Sequence, residues 1–233
     1  DINIRLPFVA AGVLSLINWM YGVFVLPESL PPEKRSSFSW SRANPVGAML
    51  HLGTYPLVLG LAGALFLLNL AMFALQATWV LYTTHRYHWS GKQVGLSLFV
   101  VGLGAAVVQG GLARKLVPIL GERRSLLLGV GLGVLSYLGY GLAPEGWMIY
   151  AIIAVGSIGG ISGPACQSLI TRAVKPTEQG QTQGALTSLQ SVAGILGPII
   201  GGNVFGYFIS QRAPVYLPGA SFFVCAALCA LGL

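Results

Sequence analysis

Charged residues are scarce in this sequence. Asp, Glu, Lys and Arg together make up 8% of its 233 residues, whereas about a quarter of an ordinary soluble domain is charged. The sole aspartate is Asp1. This shortage, with a mean hydropathy of +0.74, excludes an ordinary soluble domain and favours a membrane protein.

The side chains that build most catalytic and metal sites are also few. The three histidines lie in predicted loops: His51, His85 and His88. No Ser-His-Asp arrangement is therefore available and we do not expect an enzyme. Two histidines in "HRYH" without a third ligand make a poor zinc site, and an interfacial belt with neighbouring aromatic residues explains them as well. The three cysteines lie in predicted spans, where we expect buried free thiols: Cys166, Cys225 and Cys229.

Long apolar windows are what the sequence has in place of charge. Seven of them reach the roughly 20 residues that a bilayer core requires, near 6–26, 57–81, 94–111, 126–143, 147–170, 184–209 and 215–233. None contains Asp, Glu, Lys, Arg or His. The runs are continuous and do not alternate, which excludes a β-barrel. We therefore predict an all-α polytopic membrane protein.

The net charge of +7 is divided unequally between the two sides of the predicted membrane. Loops after the first, third and fifth windows carry nine basic residues: Lys34, Arg35, Arg42, Arg114, Lys115, Arg123, Arg124, Arg172 and Lys175. The other side carries four: Arg5, Arg86, Lys92 and Arg212. Because cytoplasmic loops are richer in Lys and Arg, residue 1 is placed in the periplasm or outside the cell. The charge serves topology, and no nucleic-acid partner is expected.

The longest connection, 27–56, is rich in proline, serine and charge and separates one window from six closely linked ones. The chain starts at Asp1 without an initiator Met and stops inside an apolar run, so we expect a fragment. Its expected parts are the last helix of a missing amino-terminal half, 1–26; a central cytoplasmic loop, 27–56; and a carboxyl-terminal six-helix half with a truncated last helix, 57–233.

Polar residues inside the windows are candidates for contact with a solute. One stripe recurs in steps of three and four and so shares a helix face: Asn69, Phe73, Gln76, Val80 and Thr83. A second stripe follows the same rule: Gln183, Thr187, Gln190 and Gly194. Amides in hydrocarbon are costly unless they are paired or face an aqueous cavity, so interhelical hydrogen bonding and a substrate cavity both remain open. The cavity candidates are Asn69, Phe73, Gln76, Gln109, Gln167 and Gln190.

The stretch "SVAGILGPIIGG" places four glycines and a proline inside a predicted span. Pro198 removes a backbone donor and bends a helix, while Gly197 and Gly201 form a G-x-x-x-G contact face. Either a plain packing kink or a helix that seals one end of a cavity explains this pattern. The candidate conformational motif is Gly194, Gly197, Pro198, Gly201 and Gly202.

A basic segment, "GGLARKLVPILGERRS", runs from Gly110 to Ser125 between two windows. It is a membrane anchor, a cytoplasmic latch that docks on neighbouring helix ends and acidic groups, or both. Glu122 beside Arg123 and Arg124 allows a local charge network. The candidate latch residues are Gly111, Arg114, Lys115, Gly121, Glu122, Arg123 and Arg124.

Four segments, in order, resemble the tetracycline–proton antiporter group of the major facilitator superfamily. Leu26–Arg35 resembles the end of that group's sixth helix, and Gly110–Arg124 resembles the basic loop after its eighth. Gly159–Val174 is similar to its tenth helix, and Gly180–Gly202 to the eleventh helix with the preceding loop. The resemblance implies helices six to twelve of a twelve-helix transporter: a carboxyl-terminal six-helix bundle plus the last helix of the amino-terminal half.

The resemblance also implies efflux of a drug-like or amphipathic small molecule by proton antiport in a bacterial inner membrane. The group's intramembrane His and Asp correspond to Ala105 and Gly133 here. The implied proton site therefore belongs to the missing amino-terminal half, and no cofactor is implied. Two alternatives stay open: a uniporter or symporter of a metabolite with the same fold, and a seven-helix receptor, although the spans lack the lysine that a retinal protein requires.

Overall fold

The computed structural model describes residues 5–27 and 53–233. The predicted central loop, 27–56, lies almost wholly outside these residues. The chain divides into two units, Asp1–Trp40 and Ser41–Leu233. Every regular element among the described residues is helical, in agreement with the predicted fold class.

The first unit contains helix α1, Leu6–Phe24. A proline stands in its first turn, where the missing N–H would have had no intrahelical partner. Large apolar side chains are exposed all along the helix, among them Phe8, Leu14 and Trp19. A helix that is apolar all round is suited to lipid or to a protein interior.

The second unit forms six successive helical rods within residues 53–233. The first is α2, Pro56–Tyr87; the second is α3, Gly91–Val107, continued by a π-helical turn, Val108–Leu112, and by α4, Ala113–Leu120. The third is α5, Glu122–Leu142; the fourth is α6, Gly146–Ser157, a 3₁₀ turn, Ile158–Ile161, and α7, Ser162–Ala173. The fifth is a 3₁₀ turn, Pro176–Glu178, and α8, Gln179–Ile209, and the sixth is α9, Ala220–Leu231.

Local sequence signals set the ends of these rods. Ser90 and Gln93 form a capping box at the start of α3, with the Ser90 N–H donating to Gln93 Oε1 at 2.9 Å, which satisfies orphan groups of the first turn. His88 ends α2 in the left-handed conformation, φ 53°. Gly121 turns the chain between α4 and α5 with φ +81°, a backbone conformation that glycine adopts without a steric penalty.

Within residues 5–27 and 53–233, five helical segments are long and apolar enough to cross a membrane: Pro56–Tyr87, Gly91–Leu120, Glu122–Leu142, Gly146–Ala173 and Pro176–Ile209. They correspond to five of the seven predicted windows. The other two windows contain shorter apolar helices, Phe8–Phe24 and Ala220–Leu231. The last window, predicted to start at 215, becomes regularly helical only at Ala220, because Pro218 and Gly219 still belong to the preceding turn.

The most extensive packing in the second unit joins α2 to α8, and α9 packs against both α5 and α2. An aromatic cluster fills one part of the core, where the ring centroids of Tyr82 and Phe222 lie 4.6 Å apart and edge-on. Trp79 meets Tyr140 in the same geometry at 5.2 Å. Each such pair contributes about 0.5–1.5 kcal/mol beyond its buried area, so this cluster fixes how α2, α5 and α9 meet.

Successive rods run in opposite directions, so the second unit has two ends. We name the end that includes Tyr55, Arg114, Glu122 and Arg172 the basic end. The opposite end, with Tyr87, Ala143 and Tyr216, is named the aromatic end. This basic end is the one that the sequence analysis predicts to be cytoplasmic.

Candidate functional site

The glycine motif lies against the aromatic member of the predicted substrate stripe. A Cβ built on Gly197 would lie 2.6 Å from Phe73 Cβ, and one on Gly201 would lie 2.7 Å from the carbonyl oxygen of Ala74. A Cβ on Gly194 would meet the Phe73 ring at 3.7 Å. Real carbon atoms do not approach so closely at the first two positions, so the α2–α8 contact requires glycine there.

The other two motif residues do not take part in that contact. A Cβ on Gly202 would find no atom within 4 Å, and Pro198 is exposed inside an α8 that continues on both sides of it. The motif therefore divides into a packed side, formed by Gly197 and Gly201, and an open side.

The predicted stripe on α2 divides as well. Gln76 and Val80 are exposed, Asn69 and Phe73 are half-buried, and Thr83 is fully buried. The Asn69 amide donates to the Leu65 carbonyl at 2.8 Å, so part of its polarity is satisfied by its own helix. Sequence periodicity gives a common face, but the packing along it is uneven, and it leaves the region of Gln76 and Val80 exposed between Phe73 and Thr83.

Two amides form a bridge between α7 and α8. Gln167 Nε2 donates to Gln183 Oε1 at 2.7 Å. They border a cavity of about 300 Å³ that is also lined by Thr171, Gln179 and Thr182. The Thr182 hydroxyl is buried and has no hydrogen-bond partner in the described part of the chain. Gln190, two turns further along α8, is exposed.

Gln109 is separated from the other amides. It lies in the π-helical turn and lines a cavity of about 630 Å³ at the basic end together with Arg114, Glu122, Ser168 and Arg172. An exposed polar residue in a π-helical turn is a recurrent feature of functional sites. Sequence periodicity contains no signal for such a turn, so the sequence did not predict that Gln109 shares a cavity with these charged residues.

The predicted latch segment is mostly helical, because α4 carries the chain to Leu120 and only Gly121 leaves helical geometry. The local charge network that Glu122 could form with Arg123 and Arg124 is not found among the described residues. Glu122 pairs with Arg172 at 3.2 Å and accepts a hydrogen bond from the Ser168 hydroxyl.

The partners of Glu122 lie on α7, so this ion pair joins two rods at the basic end. Arg123 and Arg124 follow Glu122 in sequence, but their side chains project from the start of α5 in other directions, and both are exposed. Arg114, Lys115 and Gly121 are also exposed, and Gly111 is half-buried.

The aromatic end is closed by hydroxyl groups that donate to the last carbonyls of α5. Tyr82 donates to the Tyr140 carbonyl at 2.6 Å, and Tyr87 donates to the Ala143 carbonyl at 2.7 Å. These bonds satisfy orphan acceptors of the helix C-terminus. His85 lies 2.7 Å from the Tyr216 hydroxyl, a partner 131 residues away in sequence that the "HRYH" pattern does not reveal.

Gly133, which the sequence analysis matched to an intramembrane Asp of the antiporter group, borders a cavity of about 190 Å³. Ser136, Tyr137 and Ser157 also line this cavity. A Cβ on Gly133 would meet no atom within 4 Å. The wall here is uncharged, with hydroxyl groups in place of a carboxylate.

Comparison with known proteins identifies the family. A sequence model of the Major Facilitator Superfamily matches residues 1–198 and, in a second match, residues 119–233. The chain belongs to the Major Facilitator Superfamily. This membership confirms the predicted family and argues against the alternative of a seven-helix receptor.

Several curated proteins are similar to this chain. The class C tetracycline resistance protein of Escherichia coli is 33% identical over 199 residues, which cover 85% of this chain and 50% of that protein. The human Hippocampus abundant transcript 1 protein is 28% identical over 205 residues, covering 86% of this chain and 42% of that protein. The chain thus spans about half the length of the curated relatives it matches.

The crystal structure of the human organic anion transporter MFSD10 (TETRAN) has the same fold, with a TM-score of 0.75 and 22% identity. The match covers 94% of this chain and 54% of that chain. This agreement confirms the predicted all-α major facilitator fold.

Proposed function

We propose that this chain provides the carboxyl-terminal half, and the last helix of the amino-terminal half, of a transporter that exports a drug-like or amphipathic small molecule across a bacterial inner membrane. Residues 57–233 form one wall of the substrate passage. The other wall belongs to an amino-terminal half, which is the partner that this chain needs for activity.

The observation that carries this proposal is the pair of exposed amides on two apolar rods that pack together. Gln76 on α2 and Gln190 on α8 are both exposed, in helices with long apolar windows. Exposed amides are costly in lipid and favourable in an aqueous cavity. Phe73 supplies an aromatic surface between them, and Gln167 extends the polar surface towards the basic end. Such a mixture suits an amphipathic solute.

Tetracycline resistance proteins among the relatives favour drug efflux and, with it, proton antiport. The apolar windows contain no acidic or imidazole group, and the Gly133 cavity is lined by hydroxyl groups instead. Because a proton carrier needs a group that titrates within the membrane, we place the coupling site in the amino-terminal half.

We assign the proposed cytoplasmic latch to the ion pair of Glu122 and Arg172. It connects the start of α5 to the end of α7 at the basic end. The contact of Gly197 and Gly201 with α2 gives the conformational motif a corresponding role. A glycine surface allows α8 to move along α2 without side chains having to separate, so we assign the motif to the opening and closing of the passage.

The test uses the complete transporter that contains this chain, expressed in bacteria. Accumulation of tetracycline and of ethidium is measured with and without a proton uncoupler. We expect Gln76→Ala and Gln190→Ala to raise accumulation at least fivefold, with unchanged protein levels. Ile195→Ala is the control, because Ile195 is an exposed apolar residue of α8. Equal accumulation in all three variants and in the parent would contradict the proposed site.

A metabolite uniporter or symporter is the second candidate. The observation that favours it is the absence of Asp, Glu, Lys, Arg and His from the seven apolar windows. The uncoupler separates these functions by the direction of the change: accumulation rises when proton-driven efflux stops, falls when proton-driven symport stops, and does not change for a uniporter of an uncharged solute.

A further inference from the structure

The cavity of about 630 Å³ at the basic end has walls of two kinds. Its polar residues include Arg114, Glu122 and Arg172, and its apolar wall includes Val117 and Pro118. It lies between α4, α5 and α7 and is also lined by Gln109 of the π-helical turn, but not by Gln76, Gln167 or Gln190. Its charged side chains distinguish it from the passage proposed around those three amides.

The charges of this cavity do not cancel. Glu122 is largely buried, with 16% of its side chain exposed, and it is already engaged by Arg172 and by the Ser168 hydroxyl. Arg114 is exposed and makes no ion pair with any residue that the structure describes. Two guanidinium groups against one carboxylate leave one positive charge in the wall, carried chiefly by Arg114.

The surroundings place this charge at the boundary between lipid tails and headgroups. Ile119, one turn from Lys115, is 78% exposed, and Leu128 on α5 is 51% exposed. Lys115 and Arg123 are exposed near the same turn. Apolar side chains beside cations are the pattern of a membrane surface, and the cytoplasmic leaflet is the one that carries anionic lipid.

We propose that this cavity binds the phosphate headgroup of an anionic phospholipid, with Arg114 as its principal cation. A guanidinium group presents a planar set of donors that matches phosphate oxygens. Val117 and Pro118 offer the glycerol and upper acyl region an apolar wall. Bound lipid would join α4 to α7 beside the Glu122–Arg172 pair and stabilise the basic end.

The experiment uses the complete transporter that contains this chain, purified in dodecylmaltoside. Its melting midpoint is followed during titration with dioctanoyl phosphatidylglycerol, with dioctanoyl phosphatidylcholine and with inorganic phosphate. We expect saturable stabilisation by phosphatidylglycerol alone. Because a basic residue near an anionic lipid surface contributes about a fivefold change in affinity, Arg114→Gln should raise the half-saturating concentration about fivefold. Arg114→Lys retains the charge and should change it about twofold or less.

Lys115→Gln and Arg123→Gln are the matched controls, since both remove an exposed cation that does not line the cavity. They should leave the half-saturating concentration within about twofold of the parent. The proposal is overturned if Arg114→Gln binds phosphatidylglycerol like the parent, or if the controls weaken binding as much as Arg114→Gln does. Equal stabilisation by inorganic phosphate would also overturn it, because the site would then serve a free anion.

Discussion

Replacement of Gly201 by alanine tests the close contact between α2 and α8. The added Cβ would lie 2.7 Å from the Ala74 carbonyl oxygen and 3.0 Å from Ala74 Cα. Both neighbours are backbone atoms and cannot rotate away, so the two helices must separate by several tenths of an ångström. Overpacking of this kind costs about 1–3 kcal/mol, while alanine gains up to about 1 kcal/mol over glycine in a helix interior.

Gly202→Ala is the control that isolates the packing cost. It gains the same helix propensity, and its added Cβ meets no atom within 4 Å. The difference between the two variants should therefore be about 1–3 kcal/mol, with Gly201→Ala the less stable.

The assay is thermal unfolding in detergent, followed with a maleimide that becomes fluorescent on reaction with thiols. All three cysteines of the chain are buried and free, so they react as the helices separate. Gly201→Ala should melt at a lower temperature than the parent, and Gly202→Ala at the same temperature or a higher one. If the two variants melt together, the reasoning about close packing is refuted.

Two further predictions concern the ends of the rods. Glu122→Gln should lower the free energy of unfolding by about 1 kcal/mol or less, because Arg172 is 77% exposed and an exposed ion pair contributes little. This loss of stability should shrink in high salt. An unchanged loss in 1 M salt would argue against an ionic contact. Tyr82→Phe removes the hydroxyl that donates to the Tyr140 carbonyl at 2.6 Å. It should lower the free energy of unfolding by about 1–3 kcal/mol at any salt concentration, as measured by the same melting assay. A loss of stability that falls with salt would contradict a hydrogen bond between neutral groups.

Hydropathy predicted the rods correctly because a helix in lipid satisfies its own backbone and needs only length and apolar side chains. It could not predict where the turns lie. Pro118 lies inside α4, which nevertheless continues to Leu120. The turn depends instead on Gly121 and its positive φ.

The candidate site was predicted in part. The spacing of Gly197 and Gly201 is a local property of α8, and the structure places both against α2. Glu122 is different, because its partners are 46 and 50 residues away and depend on how α5 crosses α7. A single sequence contains no signal for that crossing, so the sequence analysis considered the adjacent arginines, and not Arg172, as partners of Glu122.

The orientation of the rods in the membrane is the most direct test of the account. Single cysteines are placed at Lys92, on the aromatic end, and at Lys115, on the basic end, in the complete transporter in intact cells. A membrane-impermeant maleimide added outside should label Lys92→Cys, and should label Lys115→Cys only after the membrane is opened. Labelling of Lys115→Cys from outside, with Lys92→Cys protected, would contradict the proposed topology.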